Sequence, residues 1–178
     1  NFKTYLFNPS KKDGLKTIWD RNSQDIYSDP GNFQTTMNEF GRYVLQIENN
    51  ELLLIGEGHT AKGQFPFIDA LDLKSLKTKR LYQSNYSDKI ESISSIVNYK
   101  KGNVLVNIQS KNDYPNYYFR NINKKNDLKQ ITFNENPFES IKNVHKEVIK
   151  YKRNDGVELS GTLYLPANYD RKTKSEKL

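Results

Sequence analysis

Two histidines, His59 and His145, are the side chains in this sequence best suited to act as a general base near neutral pH. His59 lies in the loop Gly56-Glu-Gly-His-Thr-Ala-Lys-Gly63, and His145 precedes a predicted strand among charged neighbours. Catalysis needs partner residues at a fixed spacing, yet the sequence contains no Gly-x-Ser-x-Gly, no His-Glu-x-x-His and no glycine-rich phosphate loop. The favoured interpretation is that both histidines are solvated side chains.

Other residues that could do chemistry also lack the neighbours that a site would need. Ser160-Gly161 lies in a predicted strand and misses the flanking glycine of a nucleophile elbow. The chain has no cysteine, which removes thiolate metal sites and disulfides. Asp29-Pro30-Gly31 is typical of a turn, and the pair Tyr117-Tyr118 is typical of packing between strands. We therefore predict no catalytic, cofactor-binding or metal-ligating residue, and no cofactor.

The composition indicates a folded β-rich domain with a polar surface. The 178 residues suffice for one core, and an aromatic content of 12% is unlike that of a disordered chain. The net charge is +7, and most lysines fall in predicted turns, which favours a solvated surface over the alternative of attraction to acidic partners. These turn lysines include Lys11, Lys12, Lys100, Lys101, Lys124 and Lys125.

Two classes of partner are not expected. Stacking on nucleic acid needs aromatic residues interleaved with arginine, and here the arginines are scattered. No apolar run approaches the ~18 residues that span a bilayer. We predict neither a nucleic-acid partner nor a membrane partner, and the cellular compartment stays open between periplasm and cytoplasm.

Short alternating or apolar runs, split by turn residues, predict an all-β meander. Asn49-Asn50 and Lys101-Gly102 each join two runs as a tight hairpin. The predicted strands cover residues 4–7, 15–19, 42–48, 52–57, 65–71, 79–82, 93–99, 104–109, 117–122 and 128–132.

A repeat lies within the meander. Residues 5–19, 68–82 and 118–132 each read as a strand, a lysine-rich turn opened by Asn or Asp, and a second strand. Asn8, Asp72 and Asn121 are the equivalent turn residues, and the larger first step predicts an insertion in the loop 23–38. A period of ~40–50 residues with about four strands is typical of a β-propeller blade. The fold class predicted is all-β: a partial β-propeller of about two to three four-stranded antiparallel blades, followed by a β-hairpin.

The hairpin lies near the end of the sequence. Strands at residues 147–152 and 158–165 flank Asn154-Asp155-Gly156, where glycine accepts the positive φ of the turn. The strand stops at Pro166, and a polar, lysine-rich segment runs to Leu178. We expect the hairpin to open a further structural unit of a longer protein.

Blades followed by Asp155-Gly-Val-Glu-Leu-Ser-Gly-Thr-Leu-Tyr-Leu-Pro166 resemble the domain junction of the prolyl oligopeptidase family of serine peptidases. Two further segments are similar to its glutamyl endopeptidase-like branch, grouped with the dipeptidyl aminopeptidases and acylaminoacyl peptidases. They are Gly63-Gln-Phe-Pro-Phe-Ile-Asp-Ala-Leu-Asp-Leu73 and Asn116-Tyr-Tyr-Phe-Arg-Asn121. The resemblance covers roughly residues 30 to 170.

The resemblance implies a serine peptidase that cleaves short peptides, in which the propeller keeps folded proteins away from an interior site. The Ser, Asp and His of its triad would lie beyond residue 178, so no catalytic residue is carried over. His59 cannot be the triad histidine, because that histidine follows the serine in hydrolase chain order. The resemblance to the glutamyl endopeptidase-like branch implies cleavage after acidic residues, which would be compatible with a positively charged chamber around the interior site.

The domain prediction is therefore residues 1–140 as partial propeller blades and residues 141–178 as linker and first hairpin of a truncated α/β-hydrolase domain. The predicted partner is a peptide substrate, bound through the missing hydrolase domain, and open sheet edges predict a homo-oligomer. The rival functions are a free-standing propeller-like binding module, with ligand contacts on loops 56–64 and 110–116, and a structural outer-surface β-domain.

Overall fold

The computed structural model describes residues 1–12, 14–167 and 169. The chain divides into two compact units, Asn1–Asn134 and a second unit that begins at Glu135. The described residues form β-strands and two single-turn 3-10 helices, Ile26–Ser28 and Glu139–Ile141, and they include no α-helix. The all-β prediction is confirmed.

Three main antiparallel sheets and two further two-stranded pairs build the described part of the first unit. The first sheet pairs β1 (Phe2–Phe7) with β2 (Leu15–Arg21). The strands of the second sheet are β3 (Asn32–Phe33), β6 (Ile47–Glu48), β7 (Glu51–Gly56), β10 (Phe67–Asp72) and β11 (Thr78–Gln83). Their order is β11-β10-β7-β3, and the short strand β6 pairs with the same edge of β7 as β3 does.

The third sheet is a four-stranded meander whose spatial order follows the chain. Its strands are β12 (Lys89–Asn98), β13 (Asn103–Ser110), β14 (Asn116–Asn121) and β15 (Leu128–Gln130). The second and third sheets are thus blade-like units of five and four strands, and the first sheet corresponds to the last two strands of another. None of the sheets closes on itself, and the predicted partial propeller-like fold is confirmed.

Hydrogen bonds in the outer turns confirm the repeat. The side-chain oxygens of Asn8, Asp72 and Asn121 each accept a bond from the backbone amide two residues on, at 2.9, 3.1 and 3.0 Å. The backbone amides of the same three residues donate to the carbonyl that closes each turn, at 3.0, 3.1 and 2.9 Å. This local side-chain bond is what makes Asn and Asp favourable at the start of a turn.

The core lies between the sheets. Strand β7 is apolar on both faces, as expected for a strand that is covered on both sides. Its residues Leu53 and Leu54 are fully buried. Leu52, Leu54 and Leu71 pack with Ile18 and Trp19 of the first sheet. On the opposite face, Ile68 of the second sheet packs with three buried residues of the third, Val104, Val106 and Ile108.

The second unit contains a hairpin of β16 (His145–Lys152) and β17 (Glu158–Leu165), in continuous antiparallel register. Gly156 has a φ of +86°, and its amide donates to the carbonyl of Arg153 at 2.8 Å. The predicted turn and both strands are confirmed. The change of domain after residue 140 and the assignment to a hydrolase domain stay predictions. The predicted polar segment that runs to Leu178 includes residues 168 and 170–178, which lie outside the described residues.

Several element boundaries were wrong. The single strand predicted at residues 42–48 is two strands, β5 (Tyr43–Leu45) and β6, separated at Gln46. His59 lies in β8 (His59–Thr60), which pairs with β9 (Gly63–Gln64), and not in an irregular loop; His145 is the first residue of β16 and does not precede it. The predicted insertion at residues 23–38 holds the helix Ile26–Ser28, β3 and β4 (Thr35–Met37), which pairs with β5. Within the described residues, no helix has the length and apolar character to cross a membrane.

Candidate functional site

The two histidines lie in different units of the chain. His59 pairs through its backbone with Gln64, whereas Nε2 of His145 lies 3.2 Å from Oε2 of Glu147 on an exposed strand. Among the described residues, no serine or threonine hydroxyl is hydrogen-bonded to either histidine, and no group of His, Asp and Glu could hold a metal ion. Ser160 lies in β17 opposite Lys150, as a strand residue.

The most chemically distinctive cluster in the first unit is centred on Glu91, which is 1% exposed in β12. Its Oε1 accepts from Nε of Arg120 at 2.8 Å, and its Oε2 accepts from the hydroxyl of Tyr82 at 2.7 Å. Nη2 of Arg120 donates to the hydroxyl of Tyr86 at 2.9 Å. The cluster joins β11 of the second sheet to β12 and β14 of the third.

Burial and charge set the protonation of the Glu91 cluster. Burial, aided by the hydrogen bond to Glu91, raises the pKa of Tyr82 far above its usual range, so this phenol stays protonated. Burial lowers the pKa of Arg120, but the charge of Glu91 and the nearby tyrosines raise it by more, and the net shift is upward. The guanidinium also lies 5.4 Å from the ring centre of Tyr82, a cation–π contact.

This arrangement suits a structural link better than a reaction. Both carboxylate oxygens of Glu91 are occupied, and a charge buried at this depth is tolerated because it is paired and hydrogen-bonded. A general base would need an accessible oxygen within reach of a substrate proton. Glu91 and Arg120 therefore form a paired charge within the third sheet, and the bond from Tyr82 to Glu91 links that sheet to the second.

Sequence reasoning missed the Glu91 cluster. The strand predicted at residues 93–99 begins four residues earlier, at Lys89, so Glu91 was placed before the strand instead of on its buried face. A charged residue alternating with apolar residues on one face of a strand, at Glu91 and Ile93, was the available signal. Its partner Arg120 is 29 residues away in sequence and could not be assigned from spacing.

The connections of the blades fall at two ends of the sheets. We call loop end the end with residues 22–31, 57–66, 84–88 and 111–115, and turn end the end with residues 8–14, 73–77, 99–102 and 122–127. Five residues, 84–88, join β11 to β12, and the amide of Ser84 donates to the carbonyl of Pro66 at 2.8 Å. The loop ends of the second and third sheets therefore coincide.

Loops 56–64 and 110–116, the candidate ligand-binding loops, both reach the loop end. A cavity of about 420 Å³ opens there on the third sheet, lined by residues that include Ser87, Lys89, Ile90 and Ser110. Nζ of Lys89 lies 3.5 Å from Oδ2 of Asp113 beside this cavity. The chain also leaves the first unit at this end, because the amide of Asn134 donates to Oδ1 of Asn116 at 2.7 Å.

Comparison with known proteins gives relatives with a named activity. The chain is 34% identical over 182 residues to the probable chloroplastic glutamyl endopeptidase of Oryza sativa subsp. japonica, an alignment that covers 94% of this chain and 19% of that protein. It is 31% identical over 183 residues to the protein of the same name from Arabidopsis thaliana, with the same coverage. Both relatives are named as peptidases. The chain spans about a fifth of their length, and its sequence is related to a segment of these proteins.

No protein-family model matches the chain. Among solved structures, it is similar to the AtxE2 isopeptidase, in a variant with Astexin3-dC4 bound, at a TM-score of 0.38 and 12% identity. That likeness covers 75% of this chain and 21% of the isopeptidase.

Proposed function

We propose that this chain is the non-catalytic propeller segment of a serine peptidase of the prolyl oligopeptidase family, in the glutamyl endopeptidase-like branch. The observation that carries the proposal is the 34% identity with the rice relative along 94% of the chain. At this identity an alignment running through both units argues for a common architecture and not for one shared motif.

The architecture and the sequence motifs support the same assignment. Blade-like sheets in Asn1–Asn134 are followed by the hairpin that carries Asp155-Gly156 and ends before Pro166. In the proposed protein the blades restrict access to a Ser-His-Asp triad supplied by sequence beyond residue 178. Such a barrier admits short peptides and excludes folded proteins.

The proposed substrates are peptides that contain glutamate. The name of both relatives specifies a glutamyl peptidase, and this chain carries a net charge of +7. A carboxylate on the substrate is attracted to a positively charged protein, and the attraction weakens as salt screens it.

The test begins with the gene. The reading frame after Leu178 is expected to continue and to encode Gly-x-Ser-x-Gly about a hundred or more residues on, which is the nucleophile elbow of a hydrolase. A fluorophosphonate probe, which reacts with activated serines, should label the full-length product. Replacing the serine of that motif by alanine should abolish labelling and cleavage. A stop codon directly after Leu178, or an unlabelled full-length product, would overturn the proposal.

The cavity at the loop end favours a second function, a free-standing ligand-binding module of propeller-like fold. Pockets of about 300–1,000 Å³ are the size that small ligands occupy, and this one measures about 420 Å³. A stop codon after Leu178 together with saturable binding of a small peptide to the 178-residue chain would favour this alternative. Loss of that binding in Ile90→Glu would locate it in the cavity.

A further inference from the structure

Charge is divided unequally between the two ends of the sheets in the first unit. The four connections of the turn end contain eight lysines against Asp13 and Asp127, with Glu48, Glu51 and Asp72 at the adjoining strand ends. The four connections of the loop end contain five acidic residues, Asp25, Asp29, Glu57, Asp88 and Asp113, against Lys62 and Lys111. The turn end is therefore basic and the loop end is acidic.

The lysines at the turn end recur with the blade repeat. All eight are exposed, and they are Lys11, Lys12, Lys74, Lys77, Lys100, Lys101, Lys124 and Lys125. Nζ of Lys124 lies 3.7 Å from Oδ2 of Asp127, and the other seven form no ion pair with a described carboxylate. Each outer turn places two lysines on the same end, because the same side-chain bond shapes all three turns.

Contacts between neighbouring turns bring the lysines of the second and third sheets to the same end. The amide of Ile122 donates to the carbonyl of Gly102 at 2.8 Å, which ties the two turns of the third sheet together. The hydroxyl of Tyr99 donates to Oε2 of Glu51 at 2.7 Å, which ties the third sheet to the second at the same end.

We propose that the turn end is the surface on which acidic peptide substrates approach the protein, steered there by its lysines. This inference rests on the proposed function. The chain continues from the loop end, through Asn134, so the basic surface lies at the opposite end of the blades from that continuation. An acidic peptide is attracted to the turn end and repelled from the acidic loops, and this difference gives its approach a direction.

The surface fits an acidic peptide better than the two other common polyanions. Single-stranded nucleic acid needs exposed aromatic rings between the cations, but the one aromatic residue in these connections, Tyr99, is hydrogen-bonded to Glu51. Stable attachment to an anionic membrane needs apolar anchors beside the lysines. The apolar residues of these turns, Leu73, Leu76 and Ile122, are half-buried.

The experiment compares three double variants of the full-length protein, each of which removes two positive charges. Lys100→Gln/Lys101→Gln and Lys124→Gln/Lys125→Gln alter the turn end, and Lys142→Gln/Lys146→Gln, two exposed lysines of the second unit, is the matched control. Two fluorescent hexapeptides with the same cleavable bond are used, one with glutamates and one with lysines at the flanking positions. Hydrolysis gives kcat and KM, and stopped-flow fluorescence gives the association rate without requiring cleavage.

Each turn-end variant should lower the association rate and kcat/KM for the acidic peptide roughly three- to tenfold at low salt, with kcat unchanged. The loss should disappear near 1 M salt, where the Debye length is about 3 Å. The lysine-flanked peptide and the control variant should not show it. An equal loss in the control, or no loss at the turn end, would overturn the inference. Lysine-dependent binding of anionic vesicles or of single-stranded RNA, with peptide association unchanged in the turn-end variants, would also overturn it.

Failure of the proposed function would look different. A full-length protein that associates with the acidic peptide in a lysine-dependent manner but never cleaves it would retain the turn-end surface and lose the peptidase assignment.

Discussion

Glu91 shows how a single charged residue can join two sheets. Its carboxylate is removed from water, and three polar side chains of two sheets compensate for that loss: Arg120, Tyr82 and, through Arg120, Tyr86. Replacing both charged partners of such a pair by neutral residues can cost little, but removing one leaves the other charge buried and unpaired.

We predict that Glu91→Gln lowers the free energy of unfolding by about 3 kcal/mol, because the Arg120 guanidinium loses its counter-charge. Urea denaturation measures the change. Glu51→Gln is the matched control, since Glu51 accepts from Tyr99 without a cation beside it, and it should cost about 1 kcal/mol. The double variant Glu91→Gln/Arg120→Gln should be more stable than Glu91→Gln alone. Equal losses for Glu91→Gln and Glu51→Gln would contradict the prediction.

Tyr99 should make stability depend on pH in the alkaline range. Burial, together with the hydrogen bond to Glu51, raises the pKa of this phenol to about 12, from about 10 in the unfolded chain. The folded state holds this proton more tightly, so the contribution is complete below about pH 10 and is lost as pH rises from about 10 to 12. Chemical denaturation across that range should show a steeper decline for the native chain than for Tyr99→Phe. Identical slopes would show that Tyr99 titrates alike in both states.

At the residue scale the sequence predicted local chemistry and missed partners far apart in the chain. The turn residues Asn8, Asp72 and Asn121 were found because an Asx turn is complete within a few residues. Arg120 and Glu91 were missed because they lie on β12 and β14, and their pairing depends on how these two strands are placed on either side of β13 in the third sheet. The prediction that His59 and His145 are solvated side chains rested on the absence of catalytic motifs beside them, and His59 was set aside as a triad histidine because of hydrolase chain order.

At the scale of elements, a close approach between strands fixes one position for glycine. A Cβ on Gly56 would lie 2.2 Å from Cζ of Phe67, whose ring covers this glycine in the β7–β10 pair. The guanidinium carbon of Arg80 lies 3.8 Å from the centre of the same ring. Displacing Phe67 would therefore disturb the packing of β10 against β11 as well.

Gly56→Ala is expected to lower the free energy of unfolding by roughly 1–3 kcal/mol, the range for overpacking a core. Gly161→Ala, also inside a strand, is the control, because its added Cβ would lie 3.7 Å from Cγ1 of Ile149, an ordinary contact. The double variant Gly56→Ala/Phe67→Leu should recover part of the loss. Denaturation midpoints measure all three, and a stable Gly56→Ala would mean that the Phe67 ring moves away without cost.

Strands of six or more residues were predicted from alternating or apolar runs, because a run of that length is readable in the sequence, although the start of β12 was placed four residues late. Strands β3, β4, β8 and β9 were missed, since two or three residues carry no readable period and their pairing is set by neighbouring strands. The structure has two strands where one was predicted at residues 42–48, with Gln46 between them. The backbone amide of Gln46 donates to the carbonyl of Gln34, and this contact could not be predicted from the composition of the segment.

At the scale of the whole molecule, the strand order of the third sheet could be predicted because that sheet is built from neighbours in the chain, whereas the second sheet pairs β3 with β7 across three intervening strands. The meander of β12 to β15 needs only short connections, and the repeat reports that the pattern recurs. Which face of β7 meets which sheet was not predictable, because Glu51–Gly56 is apolar on both faces and carries no alternation. The packing distinguishes the two faces of this sheet. Leu52 and Leu54 pack on one face, and Ile68 of the neighbouring strand β10 packs on the other.

Because every residue of both hydrophobic clusters lies before Asn134, the first unit contains its own core, and a unit with its own core can fold alone. We predict that a fragment of residues 1–134 retains a β-rich circular dichroism spectrum and one cooperative urea transition. Its midpoint should match that of the same unit in the 178-residue chain, followed through the fluorescence of Trp19. A fragment of residues 1–121, which lacks β15 and with it Leu128 of the core, is the control and should unfold at lower urea. If residues 1–134 gave no cooperative transition while 1–178 did, the core would depend on residues after Asn134, and the division into two units would have to be abandoned.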